Sequence, residues 1–151
     1  MSIAIESPDQ PDVTALIAEL DAYQDSLYPP ECRYALDLAS LKQSNVLFAV
    51  ARDSTGQAIG CGAIVLEPEF GEVKRLYVSP RGRGQGVARG LMALLESRAM
   101  AAGCQLFRLE TGPYQPEAMG MYTSAGYARR GPYGDYKDDP MSIFMEKRIE
   151  A

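Results

Sequence analysis

VSPRGRGQGVARGLM, residues Val78 to Met92, is the stretch that decides the fold. Gly82, Gly84 and Gly86 occupy every second position between a strand-like run and a helix-like run. Arg81, Arg83 and Arg89 are interleaved with them. Glycine permits tight turns and close approach of a ligand to backbone N–H groups. The first N–H groups of a helix lack intrahelical partners, and the helix dipole is positive there. The pattern therefore predicts a seat for an anion, with phosphate or pyrophosphate as the best fit.

Two glycine motifs are excluded by their own spacing. No Lys-Ser or Lys-Thr follows the glycines, so this is not a P-loop. The dinucleotide pattern needs a third glycine where the chain has Val87 or Arg89, depending on the starting glycine. What remains is Arg83-Gly84-Gln85-Gly86-Val87-Ala88, an R-x-x-G-x-A string entering a helix, preceded by Val78-Ser79-Pro80 and the strand Lys74 to Val78. This resembles the acetyl-CoA signature of the GNAT family of N-acetyltransferases. A second stretch, Gln115 to Tyr127, resembles that family's other signature. Ala118, Tyr122, Gly126 and Tyr127 align; Gln115 stands for the usual asparagine and Met121 for the usual leucine. The resemblance is good from about Glu72 to Tyr127 and poor before Val46.

Composition bounds the alternatives. The chain has 151 residues, suited to one domain over 1–151. With 46% hydrophobic and 23% charged residues it reads as an ordinary globular protein. It shows neither a secretory signal nor an apolar run long enough to cross a membrane. Cys32, Cys61 and Cys104 are odd in number and widely spaced, which reads as free thiols in a reducing cytoplasm. No cysteine pattern suggests a metal site. A net charge of −5 argues against nucleic acid as partner. The chain has no histidine, so Ser-His-Asp, Cys-His and His-ligated metal chemistry are all excluded.

Apolar periodicity predicts the element order β-α-α-β-β-β-α-β-α-β-β, a mixed α/β (α+β) sheet with helices on its faces. The strands are Ser2 to Glu6, Asn45 to Ala51, Ala58 to Leu66, Glu72 to Val78, Leu106 to Thr111, Tyr127 to Arg130 and Ser142 to Arg148. Asp53-Ser54-Thr55-Gly56 turns between the second and third. Asp12 can cap the first helix, whose Val13, Leu16, Ile17 and Leu20 share a face. A short second helix is expected around Tyr34 to Leu41. The third runs from about Gly84 to Ala102, with Gly103 ending it, and the fourth from Pro116 to Ala125, ended by Gly126.

The resemblance implies a mostly antiparallel sheet of six to seven strands, splayed between the fourth and fifth to admit acetyl-CoA as co-substrate. It implies that the backbone of Leu76, Tyr77 and Val78 pairs with the pantetheine arm. N–H groups from Arg83, Gly84, Gln85, Gly86, Val87 and Ala88 would wrap the pyrophosphate. Arg81, Arg83 and Arg89 are candidates for the outer phosphates, and Gln115 for a side-chain contact. The activity implied is direct acetyl transfer to a primary amine of a small or amino-acid-like molecule. The alternatives are a protein N-terminus or lysine as acceptor, or a CoA-binding sensor without turnover. Tyr122 aligns with the family's general acid. Glu72 is the leading base candidate, Glu110 its rival, and a relay of waters the third option. Cys61 and Cys104 read as core thiols. Tyr28-Pro29-Pro30-Glu31 and Tyr133 to Pro140 are candidate acceptor walls. The resemblance allows a homodimer and implies neither a membrane nor a nucleic-acid partner.

Overall fold

The computed structural model describes residues 1–30 and 37–149. Seven strands form one sheet: β1 (Ser2–Ile5), β2 (Val46–Arg52), β3 (Ala58–Leu66), β4 (Gly71–Val78), β5 (Leu106–Thr111), β6 (Ala128–Arg130) and β7 (Ile143–Arg148). Their spatial order is β1-β2-β3-β4-β5-β7-β6. Every neighbouring pair is antiparallel except β4 and β5, which run parallel. Among the described residues the α-helices are α1 (Pro11–Leu27), α2 (Leu38–Leu41), α3 (Val87–Ala101) and α4 (Pro116–Ser124). None of the described helices is long and apolar enough to cross a membrane.

The helices divide between the two faces. Val87, Leu91, Met92, Leu95 and Ala99 of α3 pack with Ile59, Ile64, Val73, Phe107, Leu109, Tyr122 and Tyr127. On the opposite face Val13 and Leu16 of α1 pack with Leu41, Phe48, Val50, Cys61 and Ala63. Strand β3 is covered from both sides, which is why AIGCGAIVL is almost continuously small or apolar. Each large side chain buried this way contributes about 1.5–3 kcal/mol. A buried polar link crosses the α3 face: Glu96 accepts from Tyr127 Oη at 2.8 Å and from Lys147 Nζ at 2.7 Å. It ties α3 to β7 and to Tyr127, directly before β6.

Two local expectations need correction. Asp12 does not cap α1. Pro11 opens the helix, Gln10 is its N-cap residue, and Asp12 lies inside the first turn, paired with Arg52 at 2.6 Å. Proline suits the first helical position, so it fixes the start one residue before the acidic side chain. Helix α3 begins at Val87 and not at Gly84, because Gly84 and Gly86 take φ of +78° and +73°. Helix α2 spans only Leu38–Leu41, capped by Asp37, whose side chain accepts from Ser40 N–H at 2.8 Å. The expected start of that helix at Tyr34, together with Glu31 and Cys32, lies outside the described residues.

Lys147→Met would leave the Glu96 carboxylate, with a side chain only 10% exposed, short of its cation. We expect a loss of about 1–3 kcal/mol in urea unfolding, less than for a fully buried pair because Lys147 keeps part of its side chain in water. Adding Glu96→Gln should recover part of it, and an undiminished loss in the double variant would count against this account.

Candidate active site

The site begins where backbone pairing stops. Strands β4 and β5 share three registered pairs, Gly71 with Phe107, Glu72 with Arg108 and Val73 with Leu109. Beyond them β4 pairs only with β3, through Lys74, Tyr77 and Val78. Within that segment the β3–β4 register slips by one residue between Cys61 and Ala63, opposite Lys74 to Tyr77. Arg75 sits in this bulge at φ +56°, the only non-glycine among the described residues with positive φ. Its guanidinium is held by Asp21 of α1 at 2.6 Å, which secures a backbone conformation an L-residue otherwise avoids.

Two adjoining cavities flank the divergence. The larger, about 400 Å³, is lined by Leu76, Tyr77 and Val78 of β4, by Arg83 and Ala88, and by Tyr114 to Ala118 with Met121 and Tyr122. The smaller, about 90 Å³, is lined by Lys74, Arg75, Glu110, Thr111, Gly112 and Tyr28, among others. Leu20, Leu76, Gln115, Ala118 and Tyr122 border both. At the far end of the larger cavity, Pro80–Gly82 forms a 3-10 turn, and Gly86 is the N-cap residue of α3. A Cβ on Gly84 or Gly86 would meet nothing within 4 Å, so positive φ and not crowding demands glycine there. The free β4 edge, the glycine loop and Arg83 suit a long, flexible ligand ending in phosphates.

The arginines are not equivalent. Arg83 lines the larger cavity. Arg81 pairs with Glu19 at 3.3 Å and donates to the Ala58 carbonyl at 3.1 Å. Arg89 donates to Ser124 Oγ, joining α3 to α4. Gln85 Nε2 reaches the Arg81 carbonyl at 3.4 Å. Gln115 precedes α4 and accepts from Tyr28 Oη at 3.2 Å.

The titratable candidates separate into distinct environments. Tyr122 is 7% exposed, and its ring lies edge-on to Tyr127 at 5.9 Å. Burial, with the Glu110 charge adding to it, raises the proton affinity of its hydroxyl. Glu110 is pushed up to about 7, chiefly by burial. Ser142 and Lys74 oppose that rise, while the carboxylates of Glu72 and Asp139 add to it. Glu72 lines neither cavity. Its Oε2 accepts from Tyr133 Oη at 2.6 Å and from Tyr136 Oη at 2.9 Å, with Lys74 Nζ at 3.7 Å. Cys61 is fully buried and its thiol is pushed up to about 12, so it holds its proton at neutral pH.

Tyr28 closes the smaller cavity. It is the C-cap residue of α1, directly before Pro29-Pro30. Its hydroxyl accepts from Tyr114 N–H at 3.1 Å, and its ring stacks on Tyr114 at 5.5 Å. A Cβ on Gly112 would overlap that hydroxyl. Gly112 and Lys74 carried no sequence signal of their own; each acquires meaning from what the sheet brings opposite it.

Comparison with known proteins agrees with this geometry. The acetyltransferase (GNAT) family model matches residues 13–127. The chain is 47% identical, over 99% of its length and 98% of the relative's, to an IAA acetyltransferase of Azospirillum brasilense. It is 31% identical, over 99% of its length and 100% of the relative's, to the uncharacterized N-acetyltransferase YsnE of Bacillus subtilis. A solved structure from Klebsiella pneumoniae, provisionally described as an acyl-CoA N-acyltransferase, superposes with a TM-score of 0.87 at 41% identity, covering 99% of this chain and 97% of that one.

Gly112→Ala should cost about 1–3 kcal/mol, because the new methyl displaces the Tyr28 ring. In a Tyr28→Ala background the same change should cost almost nothing. Urea unfolding of the four proteins measures the coupling, and additive losses would separate the two residues.

Proposed function

The chain belongs to the GNAT family of acetyltransferases, and from that premise we propose that it transfers acetyl from acetyl-CoA directly to a primary amine. The acceptor in this reading is a small or amino-acid-like molecule. Glu110 is the base and Tyr122 the acid. The observation that supports it is that Glu110 lines the smaller cavity beside the point where β4 leaves β5, and Tyr122 borders both that cavity and the larger one.

Acetyl-CoA supplies the activated acyl group. The larger cavity suits its pantetheine arm, with the unpaired β4 edge offering backbone groups and the Arg83 to Ala88 segment facing its diphosphate. The smaller cavity suits the acceptor. Its volume of about 90 Å³ favours a compact amine over a protein segment. A free alkylamine is mostly protonated at neutral pH, with a pKa of about 10.4, and must lose a proton before it can attack. A carboxylate poised near 7 is the best compromise between being ionised and being basic. Tyr122 keeps its proton at working pH and can give it to a departing thiolate. A backbone N–H at the β4 bulge is the candidate donor to the developing oxyanion. Glu72 is engaged by two tyrosine hydroxyls and supports this site from outside the cavities. Residues 1–151 act as one catalytic domain in this proposal, in a reducing cytoplasm that keeps Cys61 and Cys104 as thiols.

Three measurements check the proposal. Saturating acetyl-CoA should raise the melting temperature, by the equivalent of about 2.7 kcal/mol at a hundredfold excess over Kd. Gly86→Asp should abolish that shift, and no shift in the unsubstituted chain would remove the co-substrate. The active form of Glu110 is the ionised one, so kcat/KM should climb with pH and level off above about 7. Glu110→Gln should lower kcat by about 10²–10⁴ and erase that limb. Tyr122→Phe should lower kcat while leaving the Kd for CoA unchanged; an unaltered kcat would take Tyr122 out of the mechanism.

A further inference from the structure

The last β4–β5 pair is Val73 with Leu109, so Lys74 and Glu110 are the next residues on each strand. They stand on either side of the opening where the strands part. Side chains alternate along a strand, and Val73 and Leu109 belong to the α3 side of the sheet. Glu72, Lys74 and Glu110 therefore share the opposite face. The connection between β6 and β7 folds over that face and delivers Tyr133 and Tyr136.

These tyrosines build a clamp. Both hydroxyls donate to Glu72 Oε2, at 2.6 and 2.9 Å. Lys74 Nζ donates to Tyr136 Oη, lies 3.7 Å from the same carboxylate oxygen, and sits 5.2 Å from the Tyr136 ring centre. The rings are locked against each other and against Phe144, with centroids 5.1 to 5.7 Å apart. A lysine normally loses considerable rotamer freedom when its head group is fixed. Here a packed aromatic wall and a two-hydroxyl carboxylate hold it, with its side chain 12% exposed.

We infer that Lys74 is a positioning residue for the proton acceptor: the Glu72–Tyr133–Tyr136 clamp fixes its ammonium on the strand face and cavity wall that it shares with Glu110, where it favours the ionised carboxylate. The inference rests on the reading of Glu110 as the base. Ser142 also favours the ionised carboxylate, as a neutral hydroxyl; among the charged and titratable groups of the described residues that face Glu110, none other than Lys74 does. Glu72 on β4 and Asp139 in the β6–β7 connection carry like charge. Tyr122 on α4, Tyr28 at the end of α1, and Tyr133 and Tyr136 are neutral. Lys74 is the cation that opposes burial. Glu72 thereby gains a role apart from proton abstraction: it anchors the lysine.

The test needs no acceptor. Carbon-13 labelling of the glutamate carboxyls, with Glu110→Gln identifying the signal, gives the Glu110 titration midpoint directly by NMR. In Lys74→Met the midpoint should rise by about one pH unit or more. Lys74→Arg should return it toward the unsubstituted value. Tyr136→Phe should raise it by a smaller amount, since it loosens the lysine without removing it, and this variant keeps the ring wall should Lys74→Met fold poorly. A Glu110 midpoint that stays put or falls in Lys74→Met and Tyr136→Phe overturns the inference. Where an amine acceptor is turned over, the acid limb of kcat/KM should move with the NMR midpoint. A midpoint that moves while the limb does not retains the electrostatic coupling and removes Glu110 as the base.

Discussion

The structure depends on two parallel strands that pair for only three residues. Backbone N–H and C=O groups withdrawn from a partner strand need partners elsewhere or water. Strand β4 gives up β5 after Val73 yet keeps β3 along its other edge. One edge of a central strand is thereby left open in the middle of a seven-stranded sheet. Ordinary edge strands invite unwanted pairing. This one is guarded, because helix α4 lies over the opening with Tyr122, and the end of α1 lies across it with Tyr28. The opening has the form of a slot that suits one extended ligand better than another sheet.

A single face of two strands also gives two carboxylates different chemistry. Glu72 lies where β4 and β5 are still paired, and the β6–β7 connection supplies it with two hydroxyl donors. Glu110 lies one step past the last pair, in a wall of the smaller cavity. Ser142 and Lys74 favour its ionised form, yet burial outweighs them and its proton affinity rises into the neutral range. The residue type is the same, and its distance from the end of the pairing makes the difference. That is the physical reason for preferring Glu110 over Glu72 as base, reversing the order that sequence position suggested.

Legibility followed locality. The glycine loop is readable because positive φ at Gly84 and Gly86 is a demand each residue meets by itself. Strands β3 and β5 appear at their expected limits, since their apolar runs are bounded by turns. The α4 tyrosine is readable through its motif. The Lys74–Glu110 juxtaposition was not, because it arises from parallel register between strands whose sequences are separated by α3. Nor was the fit of Tyr28 over Gly112, which joins the end of α1 to the β5–α4 connection. The acidic start of α1 misled for a local reason: proline at the preceding position outweighs an aspartate as the helix boundary.

One wall of the smaller cavity comes from the part of the chain with the weakest family pattern. Leu20, Gln24 and Tyr28 of α1 and its C-cap line it, and Asp21 holds the Arg75 bulge from the same helix. The larger cavity draws mainly on β4, the glycine loop and α4, where both signatures fall. On the proposed reading CoA would constrain the second set through its backbone demands. On the same reading the first set would answer to acceptor shape, which side-chain packing can vary without disturbing the sheet. Tyr28 links the two, since its hydroxyl bonds Tyr114 and Gln115 of the larger cavity while its ring walls the smaller.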